Sequence, residues 1–368
     1  RNAGKLSAGR LLQKAGCTSL REGGCHISET HANFFCCEDG ATADDFEGLL
    51  LRTQERVFTH TGIRLVPEVF FADPVARRRV LDSLPPLTVA VLMGGCSKER
   101  HISLVSGAAV AQGLREAGHK VVEIELTTEC MPGLPPETDI VFPVLHGEFG
   151  EDGQLQALLD KTEIPYVGSD ARASRVIMYK HLTKKLLAEN NIPTPAYRLI
   201  ESSDAPFPED LRLPLIVKPD AQGSTVGVTR LNGRSGWWRR ALRKAFAVDR
   251  RVLVEECITG PEVTVGVLHG IALPVVEIVP PKGRIYDEDA KYAHKHGHTH
   301  YFCPPRTVSN AVQERARRMA LDVYELVGAK DLLRVDFMVD EQGIPYVLEG
   351  NSIPGFTPTS LLPMAAKA

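Results

Sequence analysis

The fold of the larger part of this chain can be inferred from the segment Thr88-Val-Ala-Val-Leu-Met-Gly-Gly-Cys-Ser-Lys-Glu-Arg-His-Ile-Ser103. Residues 89–93 form a continuous apolar run, which is typical of a strand buried on both faces of a parallel sheet. Two glycines and a predicted helix over 103–117 follow, and further apolar strands are predicted at 121–124 and 140–145. Strands that alternate with helices predict a doubly wound α/β sheet, which binds ligands at the carboxyl ends of its strands.

The composition of the 368-residue chain excludes several classes of protein. It has 43 Lys and Arg against 46 Asp and Glu, a formal net charge of −3, and 43% hydrophobic residues. This balance indicates a globular protein and gives no sign of nucleic-acid or anionic-membrane binding. No apolar run approaches the ~18 residues of a membrane span. The eight cysteines lack the paired spacing of a disulfide or zinc framework, which favours a reduced, cytosolic protein.

We predict four segments along the chain. Residues 1–73 form a small α+β domain, with helices predicted over 7–16 and 42–62, strand-and-turn material between them, and a short strand predicted over 65–71. Residues 74–86 have the charge and proline content of a linker. Residues 87–167 form the Rossmann-like α/β domain, and residues 168–368 form a β-rich domain that opens with a predicted helix over 173–190.

The sharpest chemical pattern lies in a predicted β-hairpin over 332–349. Side chains alternate across a strand, so Arg334 and Asp336 share one face of the first strand, and Glu349 and Asn351 share one face of the second. Charges among Leu, Val and Phe need partners or a metal ion. Carboxylate and amide oxygens suit Mg²⁺ that is held together with nucleotide phosphates. The alternative is a solvated face of an edge hairpin.

Two further segments could contact a nucleotide. The loop Gln222-Gly-Ser-Thr-Val-Gly227 follows a strand that ends in Lys218. Small residues let backbone N–H groups approach phosphate oxygens, and the lysine supplies compensating charge, although an ordinary hairpin would have the same pattern. The strand end Glu255-Glu-Cys-Ile258 suits an adenine edge and a ribose, or it is a plain edge strand.

Two other features have both a functional and a plain interpretation. Glu99 follows the first parallel strand, where it could pair with an ammonium group or cap the next helix. The alternating histidines His294, His296, His298 and His300 resemble a metal tract, but no carboxylate or Cys stands at matching spacing. We therefore interpret them as part of a solvated loop.

Taken in order, these segments resemble the D-alanine–D-alanine ligase family of the ATP-grasp superfamily over residues 87–368. The resemblance is carried by Val91-Leu-Met-Gly-Gly-Cys-Ser-Lys-Glu-Arg-His-Ile-Ser103, Leu145-His-Gly147, Glu151-Asp-Gly153, Met178-Tyr-Lys180, Val217-Lys-Pro219, Gly223-Ser-Thr-Val-Gly227, Gly260-Pro-Glu262, Tyr286-Asp-Glu-Asp-Ala-Lys-Tyr292, Arg334-Val-Asp336 and Leu348-Glu-Gly-Asn-Ser-Ile-Pro-Gly-Phe-Thr-Pro-Thr-Ser-Leu361. It implies a Rossmann-like domain before a two-lobed ATP-grasp domain. It also implies ligation of two D-alanines through an acyl phosphate, for peptidoglycan precursors. Because family ligases continue with further helix, we expect the C-terminus to be truncated.

The resemblance implies which residues bind nucleotide and metal. The implied nucleotide-binding residues are Lys180, Lys218, Ser224, Glu255, Glu256, Ile258, Glu262 and Lys291. The implied ligands of two Mg²⁺ ions, for which Mn²⁺ could substitute, are Asp336, Glu349 and Asn351. Phosphoryl transfer needs neutralisation of charge more than covalent help from the protein, and this set would provide it.

The remaining implied roles concern the amino-acid substrates. Glu99, helped by His146, would bind the ammonium group of the first D-alanine, and Ser360 the carboxylate of the second. Arg334 and the Gly355 amide would stabilise the oxyanion of the tetrahedral intermediate.

The resemblance also implies a residue that closes the site and favours one product. Tyr292 would close the site together with Ser224, and its presence in Ala290-Lys-Tyr292 favours a dipeptide product.

Residues 1–72 resemble a different family, the C-terminal domain of UDP-N-acetylenolpyruvoylglucosamine reductase. The matching segments are Ser7-Ala-Gly-Arg-Leu-Leu-Gln-Lys-Ala-Gly16, Ile27-Ser-Glu-Thr-His-Ala-Asn-Phe34, Ala41-Thr-Ala43 and Pro67-Glu-Val-Phe70. The resemblance implies a reductase–ligase fusion. Since the flavin-binding domains of that family would lie before Arg1, we expect the reductase part to be inactive as present.

Three alternatives to a D-alanine–D-alanine ligase stay open: a D-alanine–D-lactate ligase, another ATP-grasp carboxylate–amine ligase, and a nucleotide-binding fragment without activity. We expect D-alanine and ATP as substrates, with no nucleic-acid or membrane partner. We further expect a homodimer formed through the ligase part, in a bacterial cytoplasm.

Overall fold

The computed structural model describes residues 7–61, 63, 65, 67, 69, 86–223, 226–233, 237–280, 299–357 and 359–368. The chain divides into two compact units, residues 1–87 with 163–165, and residues 88–162 with 166–368. The four-segment division stays a prediction. Within the described ranges, every helix is too short or too polar to cross a lipid bilayer.

The smaller unit combines helices with a three-stranded antiparallel sheet of order β1-β2-β3. Its elements are α1 (Ala8–Lys14), a 3-10 helix (Cys17–Ser19), β1 (Arg21–Glu22), β2 (Cys25–Ile27), β3 (Phe35–Cys37) and α2 (Ala43–Thr61). The helices predicted over 7–16 and 42–62 are confirmed. Leu49 and Val57 of α2 are buried in the core of this unit because they lie on one face of the helix. A strand predicted over 65–71 lies mostly outside the described residues.

The parallel sheet predicted from residues 88–145 is confirmed. Its elements, with the helices that follow, are β4 (Thr88–Gly94), α3 (Arg100–Glu116), β5 (Lys120–Leu126), β6 (Ile140–Pro143) and α4 (Gln154–Leu159). β4 lies between β5 and β6, parallel to both, and is buried along its whole length. The carboxyl ends of β4 and β6 therefore meet at one edge of the sheet, where Glu99 and His146 lie.

The prediction of a single helix over 173–190 is wrong, because the structure has two helices there. They are α5 (Ala171–Met178) and α6 (Lys180–Glu189), separated by Tyr179 in an extended conformation with φ −86° and ψ 100°. The Lys180 N–H donates to the Asp220 carbonyl at 3.1 Å, and the His181 N–H donates to the Asp220 carboxylate at 2.9 Å. A buried carboxylate at the start of α6 satisfies and stabilises the helix N-terminus. This contact with a distant residue is what ends α5 and restarts the helix.

Two antiparallel sheets make up the rest of the larger unit. The first has the order β7-β10-β8-β9, and the second has the order β14-β13-β11-β15-β16 with β12 paired to β11. The strands are β7 (Tyr197–Ile200), β8 (Leu215–Pro219), β9 (Thr229–Leu231), β10 (Val252–Glu256), β11 (Glu262–Leu268), β12 (Ile271–Ala272), β13 (Val276–Val279), β14 (His300–Phe302), β15 (Leu332–Val339) and β16 (Pro345–Asn351). The helices are α7 (Trp237–Phe246), α8 (Asn310–Val327) and α9 (Leu361–Lys367). The predicted mixed fold is confirmed.

The core of this region lies between α8 and the second sheet. Val265, Val335 and Phe337 are fully buried there, together with Ala316 and Val323 of α8. The residues that alternate with this core along β15 lie on the opposite face of the sheet. Arg334 and Asp336 are among them.

The predicted hairpin is confirmed, and it is formed by β15 and β16. Arg334 lies opposite Asn351, and Asp336 lies opposite Glu349. A bulge between Asp336 and Phe337 interrupts the ladder immediately after these pairs. The four polar residues are therefore neighbours across the two strands.

Candidate active site

A cavity of about 550 Å³ is lined by strands of both antiparallel sheets. Ile216 and Ile258 from one side and Val279 and Met338 from the other give it apolar walls. Charged side chains also line it, and these are Lys180, Lys218, Glu255, Glu256, Glu262, Glu277, Asp336 and Glu349. The volume is typical of a small-molecule site, and apolar walls beside lysines and carboxylates suit a nucleotide and its phosphates.

Two lysines share one buried carboxylate beside this cavity. Glu255 Oε1 lies 2.5 Å from Lys218 Nζ, and Glu255 Oε2 lies 2.9 Å from Lys184 Nζ. Burial alone would raise the pKa of Glu255, but the two lysine charges lower it below its usual value. Glu255 therefore holds Lys218 in place as its counter-ion, and the predicted contact of Glu255 with adenine stays a prediction.

Sequence reasoning missed Lys184. Its side chain is 1% exposed, and its ammonium group donates to Thr194 Oγ1 at 2.6 Å. Burial lowers the pKa of Lys184 to about 8, although Glu255 opposes the shift. The available signal was its position one helical turn after Lys180, which places both lysines on the same face of a helix.

Lys180 connects the Gly-rich loop to the hairpin. Its Nζ donates to the Gln222 carbonyl at 2.9 Å and lies 3.2 Å from Glu349 Oε2. Burial would lower the pKa of Lys180, but the Glu349 carboxylate outweighs burial and raises it. Lys180 is therefore a buried cation next to the predicted phosphate loop and the predicted metal ligands.

The residues of the hairpin fit a Mg²⁺ site by the chemistry of their donors. Asp336 accepts two hydrogen bonds from Arg334, at 2.9 and 2.8 Å, and one from the Thr264 hydroxyl at 2.6 Å. The Asn351 amide nitrogen also donates to Asp336, at 3.0 Å, which leaves the amide oxygen as the atom of this group that could bind an ion. With Glu349 on the paired strand, the set offers two carboxylates and one amide oxygen, all hard ligands.

The described residues contain no group of three or more His, Cys, Asp or Glu side chains placed to hold a metal by themselves.

A second cluster lies at the carboxyl edge of the parallel sheet. A Cβ built on Gly147 would lie 3.2 Å from Glu99 Oε2, and one built on Gly223 would lie 3.3 Å from Glu99 Oε1. The Glu99 carboxylate therefore lies between the turn after β6 and the Gly-rich loop, close to the backbone of both. His146 is buried next to it, and burial lowers the pKa of His146, so that its ring is neutral at pH 7.

The Glu151 carboxyl group is the second functional candidate that sequence reasoning missed. It accepts the Gly147 N–H at 2.7 Å and the Ile353 N–H at 3.4 Å. Burial, reinforced by the nearby Glu99 charge, raises the pKa of Glu151 to about 8. Glu151 thus joins the turn that contacts Glu99 to the loop before Gly355. The signal in the sequence was the segment Glu151-Asp-Gly153, to which no role had been assigned.

The loop after β16 brings the remaining predicted substrate residues together. Ser360 Oγ lies 2.8 Å from the position that a Cβ on Gly355 would occupy. The Phe356 N–H contacts Ser106 Oγ at 3.4 Å, and the same hydroxyl lies 3.3 Å from His146 Nε2. Gly355 and Ser360 are therefore linked through Ser106 to the cluster around Glu99.

The other predicted residues lie partly inside and partly outside the described part of the chain. Ile258 and Glu262 line the cavity, and Glu256 forms an ion pair of 3.1 Å with the exposed Arg212. His300 lies in β14, at the edge of the second sheet. The predicted residues outside the described part of the chain are Ser224, Lys291, Tyr292, His294, His296 and His298.

A nucleotide-sized cavity lined by two antiparallel sheets, with lysines and hairpin carboxylates around it, defines an enzyme of the ATP-grasp class.

Comparison with known proteins specifies the family. Family models match the D-ala D-ala ligase C-terminus over residues 186–368, the D-ala D-ala ligase N-terminus over 131–169, and the C-terminal domain of UDP-N-acetylenolpyruvoylglucosamine reductase over 1–72. The D-alanine–D-alanine ligase of Methylacidiphilum infernorum is 43% identical over 287 residues, which are 77% of this chain and 90% of the relative.

Solved structures agree. The D-alanine–D-alanine ligase of Bacillus anthracis complexed with ATP is 29% identical with a TM-score of 0.65, over 76% of this chain and 91% of that one. The VanG D-Ala:D-Ser ligase of Enterococcus faecalis is 26% identical with a TM-score of 0.64, over 77% of this chain and 95% of that one.

The chain belongs to the D-alanine–D-alanine ligase family, and a reductase C-terminal domain precedes its ligase part. Both resemblances and the predicted enzyme class are confirmed.

Proposed function

We propose that this protein joins two D-alanine molecules to D-alanyl-D-alanine at the expense of ATP, for the synthesis of peptidoglycan precursors. One observation carries the proposal. Paired lysines and the Asp336–Glu349 pair line the same cavity, so that the phosphates of a nucleotide would meet cations and metal ligands together. Membership of the ligase family supplies the choice of substrates.

In the first step, the carboxylate of one D-alanine attacks the γ-phosphorus of ATP, which forms an acyl phosphate and releases ADP. Lys180 and Lys218 would bind the phosphate oxygens, and their own charges are kept in place by Glu349 and Glu255. Glu99 would hold the ammonium group of the D-alanine so that its carboxylate points to the phosphate. Positioning and neutralisation of charge are the main contributions a protein makes to phosphoryl transfer.

In the second step, the neutral amine of another D-alanine attacks the acyl carbon. The tetrahedral oxyanion that results would be stabilised by Arg334 and by the Gly355 N–H, and its collapse releases inorganic phosphate. Asp336 holds the Arg334 guanidinium with two hydrogen bonds, which orients it before the substrate binds. Ser360, close to Gly355, would bind the carboxylate of the second D-alanine.

The metal is part of the proposal. Asp336, Glu349 and Asn351 would hold two Mg²⁺ ions, or Mn²⁺ in their place, and bound Mg²⁺ would neutralise charge on the transferred phosphate. Lys180 would then exchange its contact with Glu349 for one with a phosphate oxygen.

The family fold does not by itself determine which molecule is the second substrate. A solved neighbour is named as a D-Ala:D-Ser ligase, so the family fold accepts other second substrates. We propose D-alanine here, with D-lactate as the alternative, because Tyr292 stands in the segment that resembles dipeptide-forming members. We further propose a homodimer formed through the ligase part and a location in the bacterial cytoplasm.

The test is phosphate release by the full chain with ATP, Mg²⁺ and D-alanine, with D-lactate or D-serine added in parallel reactions and the products separated by mass. We expect D-alanyl-D-alanine to dominate near pH 7.5. Product made mainly from D-lactate would overturn the choice of substrate, and ATP turnover that no D-alanine stimulates would overturn the function.

The metal ligands allow a sharper version of this test. Asp336→Ala and Glu349→Ala should each lower kcat by at least roughly 100-fold, because each removes a carboxylate that offsets an ion on the nucleotide. The matched control is His300→Ala, at the edge of the same sheet, which should retain activity. A comparable loss in His300→Ala would contradict the assignment of the metal to the hairpin.

A further inference from the structure

The smaller unit contains two thiols in direct contact. Cys25 of β2 and Cys37 of β3 are register partners in an antiparallel pair, and their sulfur atoms lie 2.9 Å apart. Cys25 is 1% exposed, whereas Cys37 is exposed at the sheet edge. The ligase chemistry of the larger unit uses neither residue.

The hydrogen-bond pattern shows which kind of pair this is. The Glu38 N–H donates to the Gly24 carbonyl at 2.8 Å, and the Ser28 N–H donates to the Phe34 carbonyl at 2.9 Å. Hydrogen-bonded and non-hydrogen-bonded pairs alternate along an antiparallel ladder, so the intervening Cys25–Cys37 pair is non-hydrogen-bonded.

In a non-hydrogen-bonded pair the opposed side chains are closest, with Cα atoms about 4.5 Å apart. That separation is inside the range of about 4.4–6.8 Å over which a disulfide can form without moving the backbone.

We propose that Cys25 and Cys37 form a reversible cross-strand disulfide when the protein meets a low-molecular-weight disulfide such as oxidised glutathione. The smaller unit then carries a thiol–disulfide site that is distinct from the ligase reaction.

The chemistry proceeds in two exchanges. The exposed Cys37 thiolate attacks one sulfur of the oxidant, breaks its S–S bond and releases one glutathione thiolate, which leaves a mixed disulfide on Cys37. The Cys25 thiolate then attacks the Cys37 sulfur and releases the second glutathione. Two protein thiols lose two electrons and two protons, and one disulfide is reduced to two thiols, so the step balances.

The order of attack follows from the surroundings of the two thiols. Burial, with contributions from Cys37 and the Asp45 carboxylate, raises the pKa of Cys25 to about 11. Cys25 is therefore a poor first nucleophile, and the exposed Cys37 is the one that an oxidant can reach. Once Cys37 carries a mixed disulfide, the second attack is intramolecular and is favoured by the high local concentration.

The neighbouring Cys36 provides a matched control. It lies on the same strand, but successive side chains of a strand point to opposite faces, so Cys36 pairs with His26 and points away from Cys25. Cys36→Ser should leave the disulfide intact. Cys37→Ser should abolish it, and Cys25→Ser should leave the mixed disulfide on Cys37.

The experiment uses the full chain, incubated with oxidised glutathione, alkylated, and cleaved after glutamate without reduction. Cleavage after Glu29 separates Cys25 from Cys36 and Cys37, so a disulfide joins two peptides. The mass of the linked pair is lower by two hydrogens than the summed masses of the two separate reduced peptides. We expect this linked pair in the unmodified protein and in Cys36→Ser, with at least a roughly tenfold smaller amount in Cys37→Ser.

Three results would overturn the proposal. The first is full alkylation of Cys25 in the unmodified protein while Cys37 retains glutathione. The second is a linked pair that survives in Cys37→Ser but disappears in Cys36→Ser. The third is a linkage found only between two molecules. A second measurement is independent of mass: the oxidised protein should show a higher Tm for the smaller unit than the reduced protein, and an unchanged Tm would argue against a closed loop.

Discussion

Two glutamates in the larger unit have pKa values shifted in opposite directions. Glu255 lies between Lys184 and Lys218, and its pKa is lowered. Glu151 accepts backbone N–H groups and lies near the Glu99 carboxylate, and its pKa is raised to about 8. Desolvation favours a higher pKa in both residues, so burial does not explain why their pKa values shift in opposite directions. The difference comes from the sign of the nearest charges.

The comparison explains why the two regions suit different tasks. In the pocket around Glu255, the glutamate carboxylate holds two lysine ammonium groups in place, which suits the binding of a polyphosphate. The edge around Glu151 keeps a neutral carboxyl group beside the acidic Glu99, so that negative charge at the proposed ammonium site is limited to one carboxylate.

The largest effect should come from removing the charge of Glu255. Glu255→Gln leaves Lys184 and Lys218 buried without their counter-ion, and breaking a buried pair from one side costs about 3–5 kcal/mol of the free energy of unfolding. The measurement is urea denaturation at pH 7. The control is Glu256→Gln on the same strand, whose partner Arg212 is 87% exposed, and it should cost less than about 1 kcal/mol. Equal losses in the two variants would show that Glu255 is not the essential counter-ion.

A change of similar size is expected from pH at Glu151. Its folded pKa of about 8 lies above the ordinary 4.5, so between these values the folded state holds a proton that the unfolded chain releases. The free energy of unfolding therefore falls as pH rises from about 4.5 to about 8. Unfolding of the unmodified protein and of Glu151→Gln should be compared across this range. The stability of the unmodified protein relative to Glu151→Gln should fall by roughly 4–5 kcal/mol, and a constant difference would exclude a raised pKa.

The smallest effect should be that of Glu151→Gln at about pH 4. Glu151 is protonated in the folded state there and mostly protonated in the unfolded chain, so the amide preserves both the neutral charge and an acceptor for the Gly147 N–H, and we expect a loss of about 1 kcal/mol. The measurement is urea denaturation at this pH. A loss as large as that of Glu255→Gln would mean that the amide does not replace a neutral carboxyl group, and the contrast between the two glutamates would disappear.

Much of the fold could be predicted because local patterns determine it. The apolar run of β4 and the alternation in β15 and β16 predicted their strands, but the Arg334–Asn351 pairing depends on the bulge after Asp336, which the pattern did not predict. The break at Tyr179 could not be predicted in this way. Residues 173–190 have helical periodicity throughout, and the competing hydrogen bonds come from Asp220, about forty positions later.

The sequence predicted many of the residue types in the site, but not which of its charged side chains pair with each other or have shifted pKa values. The acidic residues of the hairpin and Lys180 could be named from spacing and resemblance. Lys184 and Glu151 were missed because nothing nearby in the sequence shows that they are buried.

Sequence pattern alone was sufficient for the parallel sheet, the hairpin and membership of the ligase family, since each depends on residues close together in the chain or on an ordered series of motifs. The three-dimensional arrangement decided the helix break, the counter-ion of Lys218, the neutral state of Glu151 and the contact between Cys25 and Cys37. These properties depend on distances of a few ångströms between residues far apart in sequence, and electrostatic and covalent chemistry changes steeply over such distances.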